Sequence, residues 1–152
     1  MNAREWRIEV MHGANLDQLG RRDPVLYGTL TLPELEQRIE REARELGMLT
    51  RFFHTNYEGA FIEHLHGLRE DADAILLNPG AWTHYAWAIR DALEIAGLPA
   101  LEIHLSDVRN REPWRRVSVL GELCFATVSG RGPDGYRDAL VLLREHLQEH
   151  CS

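Results

Sequence analysis

Lysine is absent from this 152-residue chain: all 17 basic residues are arginine. That excludes Schiff-base catalysis by lysine, a P-loop lysine and a lysine general base. Cysteine is nearly absent, with Cys124 in an expected strand and Cys151 beside the C-terminus. Neither a disulfide framework nor a metal site is therefore expected. No run of about 18 apolar residues occurs, so no transmembrane helix is expected. The opening MNAREWRIEV lacks the basic-then-apolar pattern of a signal peptide, which makes a cytoplasmic location the simplest expectation. Positive charge is in deficit, and a net charge of −7 does not suit a nucleic-acid partner. Repeats, low-complexity tracts and linker-like runs are also missing.

What is present is ordinary for a soluble globular protein, at 44% hydrophobic and 27% charged residues. The length suits one domain spanning residues 1–152. A strand over residues 5–11 is followed by a long polar connection. A helix is then expected from Leu32 to Leu46, opened by a Thr31/Glu34 capping box and closed by Gly47. A second strand, MLTRFFHT, leads to a helix over residues 59–69. A third strand, DAILLN, has the unbroken apolar character of one buried on both faces. A helix over residues 84–96 stops at GLP, and a strand ALEIHLS follows. A fifth strand, ELCFATVS, precedes a last helix over residues 135–149. Five strands alternating with four helices imply an α/β fold with a parallel sheet between helix layers. The flavodoxin-like order 2-1-3-4-5 is expected, with ligands binding beyond the carboxyl ends of the strands.

Chemically useful residues gather at those ends. Glu102 and His104, two apart on a strand, face the same way, so the carboxylate can orient the imidazole. An ordinary solvent-facing edge strand would show the same alternation. In NPGAWTH, a helix beginning at Thr83 or His84 would offer free N–H groups to an anion, with Asp91 two turns along. Alternatively, Asn78 ends a strand, Pro79–Gly80 forms a turn and His84 covers the helix end. Arg109, Arg111, Arg115 and Arg116 suit a carboxylate ligand, though one or two at most are expected to reach it. The connection MHGANLDQLGRRDPVLYG carries Asn15, Arg21, Arg22 and Tyr27. It reads either as a lid bearing an arginine-activated tyrosine base or as an ordered loop with Tyr27 packed as a wedge.

Taken together, GANLDQLGRRDPVLYG, NYEG, NPGAWTHYAWAIRDAL, EIHLSDVRNREPWR and GYRDAL resemble the type II 3-dehydroquinate dehydratases. The resemblance implies a flavodoxin-like fold, no cofactor, and anti elimination of water from 3-dehydroquinate through an enolate, giving 3-dehydroshikimate. The lack of lysine agrees with it, because the unrelated type I enzymes need a Schiff-base lysine. By resemblance, Tyr27 is the base that takes the C2 proton, and Arg22 favours its phenolate and stabilises the transition state. Asn15 holds a water or the enolate oxygen. His104 protonates the departing hydroxyl and is oriented by Glu102. Asn78, His84, Asp91, Leu105, Ser106 and Arg115 match positions that bind a cyclic carboxylate substrate, and Arg111 matches an arginine near the site. The resemblance further implies a homododecamer built of trimers, in which Asp91 reaches a neighbouring subunit's site.

The chain departs from the family pattern at His12 and Ala14, at Trp82, Tyr85 and Trp87, and at Asp107, Arg109 and Asn110. Two other readings stay open at this level. One keeps the elimination but moves it to a related cyclic hydroxy-keto acid. The other is a non-catalytic binding or scaffold protein.

Overall fold

The computed structural model describes residues 4–150; Cys151 lies outside them. Five parallel strands, β1 (Trp6–His12), β2 (Met48–His54), β3 (Ala74–Asn78), β4 (Ala100–His104) and β5 (Ala126–Ser129), form one sheet in the order β2-β1-β3-β4-β5. Helices α2 (Leu32–Glu45) and α5 (Asp134–His150) cover one face, while α3 (Glu58–His66) and α4 (Trp87–Ala96) cover the other. The short helix α1 (Pro24–Tyr27) lies within the long connection after β1. This is the flavodoxin-like order the sequence predicts. No helix among the described residues is long and apolar enough to cross a membrane.

Two hydrophobic cores explain the layering. Along β3, Ala74 and Leu76 point into the α2/α5 core, whereas Ile75 and Leu77 point into the α3/α4 core. Helix α2 starts at the reciprocal Thr31/Glu34 box and buries Leu32, Leu35, Ile39 and Ala43 along one stripe. It ends before Gly47, whose φ of 77° is open to glycine at little cost.

Two local expectations need correction. The helix expected from residue 84 begins instead at Trp87, because Gly80–His84 form a 3-10 turn that leads into it. The fifth strand is shorter than ELCFATVS: Gly121–Leu123 form another 3-10 turn, and Leu123 and Cys124 pack into the α3/α4 core. The Cys124 thiol is free, and burial together with the nearby Glu102 charge pushes its pKa up to about 12. Of the two readings of the Glu102/His104 strand, the edge strand falls, since β5 pairs along it as the expected order requires.

The switch in strand order between β1 and β3 is locked by two glycines. Gly13 donates its N–H to the Asn78 carbonyl at 2.7 Å, and a Cβ on Gly13 would lie 2.2 Å from the Pro79 oxygen. At Gly80, with φ 66°, a Cβ would lie 2.6 Å from the Ala14 oxygen. The two loops therefore touch through backbone alone. Gly13→Ala is expected to cost about 1–3 kcal/mol, to be read as a lowered Tm, and an unchanged Tm would contradict this close approach.

Candidate active site

At the switch between β1 and β3 the loops after β1, β3 and β4 enclose a cleft of about 90 Å³. Asn15, Arg22, Tyr27, Asn78, His84, His104, Leu105, Ser106, Arg111 and Arg115 all line it. Glu102 lies directly behind His104, whereas Asp91 is exposed on α4 and lines no part of this cleft. Arg109 and Arg116 line a neighbouring hollow instead. A larger hollow of about 480 Å³ involves Arg7, Leu49, Arg51 and Asp71. It opens beside the amino-terminal half of the sheet, away from the tyrosine and histidines, so the smaller cleft is the better candidate.

Each wall of the cleft has a local cause. Asn15 is the one non-glycine residue with positive φ among those described, at 72°. Asparagine tolerates that conformation better than most side chains, and strain of this kind gathers at functional turns. In the connection after β1, Asp23 caps the Val25 N–H at 2.9 Å and Pro24 opens α1, which carries Tyr27 to the cleft. The Tyr27 oxygen accepts a hydrogen bond from Arg111 Nη1 at 2.6 Å, and the same nitrogen reaches Ser106 Oγ at 3.2 Å. Arg22 lies over the face of the Tyr27 ring, 3.9 Å from its centroid. The arginine at the tyrosine oxygen is thus Arg111, while Arg22, expected there, stacks on the ring.

Opposite, His104 Nε2 lies 2.6 Å from Glu102 Oε2, and both residues are buried. With Nε2–H donating to the carboxylate, Nδ1 is left for the cleft. Burial pushes the Glu102 carboxyl up. The hydrogen bond and charge of His104, with the Ser118 bond, outweigh it and hold the group below the usual carboxylate range. His84 donates from Nδ1 to the Val117 carbonyl at 2.6 Å and meets Trp114 edge to face. Burial lowers its pKa, with the charges of His104 and Arg115 adding to that, against the Val117 bond. Its neutral form is favoured in the fold, so its contribution to stability is complete above pH 6.5 and is lost as pH falls through the depressed value. An NMR titration is expected to place the His84 midpoint below 6.5; a midpoint above it would contradict this packing.

No aspartate or glutamate lines the cleft, but three arginines and two histidines do. In a chain of net charge −7, that local field selects a small anion. No group of three His, Cys, Asp or Glu side chains among the described residues is placed to hold a metal ion.

A family model for class II dehydroquinases matches residues 6–144. The chain belongs to that family. The 3-dehydroquinate dehydratase of Thermotoga neapolitana is 44% identical over 143 residues, covering 94% of this chain and 97% of that relative. The 3-dehydroquinate dehydratase of Thermotoga maritima is 42% identical over 143 residues, covering 94% and 98%. The crystal structure of type II dehydroquinase from Propionibacterium acnes aligns with a TM-score of 0.89 at 36% identity, covering 95% of this chain and 99% of that one.

This dehydroquinase cleft also depends on two residues that motif reading does not single out. Ser118 Oγ donates to Glu102 Oε1 at 2.6 Å while accepting from the N–H groups of Leu120 and Gly121. With two backbone donors on its oxygen, its one proton is directed to the carboxylate. Asn56 Oδ1 accepts the Asn15 N–H at 2.8 Å, and its Nδ2 donates to Asp17 at 3.2 Å, so the loop after β2 fixes the strained turn. Only the NYEG match hinted at Asn56, and no local pattern marked Ser118. Ser118→Ala is expected to lower kcat several-fold, about 1 kcal/mol in barrier for one hydrogen bond, with the fold intact by circular dichroism.

Proposed function

We propose that this protein is a hydro-lyase that converts 3-dehydroquinate to 3-dehydroshikimate by anti elimination. The observation that carries the reading is the pairing of Arg111-bound Tyr27 with Glu102-backed His104 around an acid-free cleft. Tyr27 removes the C2 proton, and the electron pair becomes an enolate whose oxygen Asn15 holds. Arg111 binds the tyrosine oxygen with a charge-assisted hydrogen bond, and Arg22 sets its positive charge against the ring. The enolate collapses as the C1 hydroxyl leaves, taking a proton from His104 and departing as water. Asn78, His84, Ser106, Leu105 and Arg115 bind the substrate's hydroxyls and carboxylate. Arg115 is paired with Glu112, so a substrate carboxylate competes with that partner.

Related relatives named 3-dehydroquinate dehydratase support the substrate. So does the position of the departures: of those noted above, Ala14 alone lines the cleft. That favours 3-dehydroquinate over a different cyclic hydroxy-keto acid. We place the enzyme in the cytoplasm, in the shikimate pathway or quinate use, acting without a cofactor.

From the family resemblance we also infer a homododecamer built of trimers. Asp91 is exposed on α4, where Trp87 and Ile95 are 64% and 57% exposed. A helix face of this kind suits a subunit contact that carries Asp91 to a neighbour's cleft. The test is direct: purified protein with 3-dehydroquinate should generate the conjugated-enone absorbance of the product. Tight binding of another cyclic acid without turnover would overturn the substrate assignment, and a monomer by native mass spectrometry would overturn the assembly.

A further inference from the structure

The connection after β4 carries a tryptophan that joins neither hydrophobic core. Pro113–Arg116 form a 3-10 turn, opened by Pro113, in which the Arg115 N–H donates to the Glu112 carbonyl at 2.9 Å. Trp114, on this turn, is 48% exposed and does not line the cleft. Its ring instead contacts two residues that do. It meets His84 nearly at right angles, with centroids 5.2 Å apart and planes at 88°. The Arg115 guanidinium lies over the same ring, 4.1 Å from its centroid. One half-exposed aromatic side chain thus touches both His84 and Arg115 from outside the cleft.

Each contact removes a freedom that the hydrogen bonds leave. His84 Nδ1 donates to the Val117 carbonyl at 2.6 Å, so Nε2 is the atom left to accept from a substrate hydroxyl. That single bond fixes one atom of the ring and lets the rest swing about it. Edge-to-face packing on Trp114 fixes the plane as well. Arg115 Nε is paired with Glu112, whose side chain is largely exposed, so that pair alone is a weak restraint on a rotamer-rich side chain. The stack on Trp114 uses the face of the guanidinium, whereas a carboxylate binds its N–H edge. The stack therefore persists when a substrate carboxylate competes with Glu112.

We propose that Trp114 is a positioning residue: it orients His84 toward a hydroxyl and Arg115 toward the carboxylate of the cyclic substrate. This rests on the substrate-binding roles given to those two residues above. Trp114 acts only through them and touches no reacting atom.

Steady-state kinetics with 3-dehydroquinate and an NMR titration of His84 test it. Trp114 lies outside both cores, so its truncation leaves the fold intact. Trp114→Ala is expected to raise KM about tenfold with kcat little changed, because both side chains must then be ordered on binding. Trp114→Phe, which keeps an aromatic ring, should recover most of the wild-type KM. Added to Arg115→Ala or His84→Ala, Trp114→Ala should raise KM less than it does alone, since one of the side chains it holds is gone. The His84 midpoint in Trp114→Ala should rise toward 6.5, because burial is the largest cause of its depression. A looser Arg115 acts in the same direction, while His104 and Glu102 still face the ring. An unchanged KM or an unmoved His84 midpoint in Trp114→Ala would overturn the inference. So would a lack of recovery in Trp114→Phe, or effects that multiply fully in both double variants. Arg115→Ala and His84→Ala keep the two claims apart. Raised KM in these, without one in Trp114→Ala, rejects only the positioning role, whereas no change in either rejects the substrate-binding roles themselves.

Discussion

Tyr27→Phe is expected to lower kcat for 3-dehydroquinate by roughly a hundred- to ten-thousand-fold, the usual worth of a positioned general base. KM should change little, because the lost oxygen acts on the C2 proton and not on the bound substrate's polar groups. The phenylalanine ring keeps its stack beneath Arg22, whose guanidinium lies 3.9 Å from the ring centroid. Only the oxygen that Arg111 grips at 2.6 Å disappears. The substitution thus separates the base from the scaffold around it. Stopped turnover with retained binding is the expected pattern. A variant that keeps most of its kcat would remove Tyr27 from the mechanism.

His104→Ala is expected to have two effects of different origin. Leaving-group protonation is lost, again with a kcat deficit of roughly a hundred-fold or more. In addition, Glu102, only 1% exposed, is left as a buried carboxylate without its charged partner. Breaking a buried pair from one side costs about 3–5 kcal/mol, which urea unfolding would register. The sign of the pH dependence follows from Glu102. In the intact protein its pKa is held below the ordinary carboxylate value of 4.5, so its contribution to stability is present above pH 4.5 and is lost as pH falls through the folded value. Removing His104 takes away the largest opposing interaction and leaves desolvation to dominate. Acid unfolding of His104→Ala should therefore begin at higher pH than in the wild type. An identical acid limb would show that His104 does not support Glu102.

The architecture was legible because it is written in short apolar runs and their punctuation. DAILLN alternates between two cores within five strand residues, and only a sheet covered on both faces asks for that. Thr31, Glu34 and Gly47 marked the ends of α2 with side-chain and backbone chemistry that acts locally. The start of α4 was not legible, because Trp82 and Thr83 are buried in the 3-10 turn and mimic the first turn of a helix. The fifth strand was overextended for a similar reason. Leu123 and Cys124 are apolar because they join a core, not because they pair in a ladder.

In the site, residues fixed by strand parity were readable: Glu102 and His104 share a face by spacing alone. What spacing did not reveal was which arginine would meet the tyrosine. Arg22 is five residues from Tyr27 in the chain, yet the turn of α1 leaves it over the ring. Arg111, 84 residues away, reaches the oxygen. Ser118 and Asn56 were hidden because their work is done on other side chains and backbone across the fold. His12 was visible as a departure from the family pattern, but its pairing with Asn78 and its approach to Glu36 depend on register and helix packing.

The claim at the centre of this account is that Tyr27 and His104 act on opposite faces of the substrate ring. Turnover of 3-dehydroquinate carrying deuterium only at the C2 position anti to the C1 hydroxyl tests it directly. Mass spectrometry of the product should show the label lost to solvent, with the enone unlabelled. Product that retains the deuterium would mean proton removal from the same face as the leaving hydroxyl, and this arrangement of base and acid would be wrong.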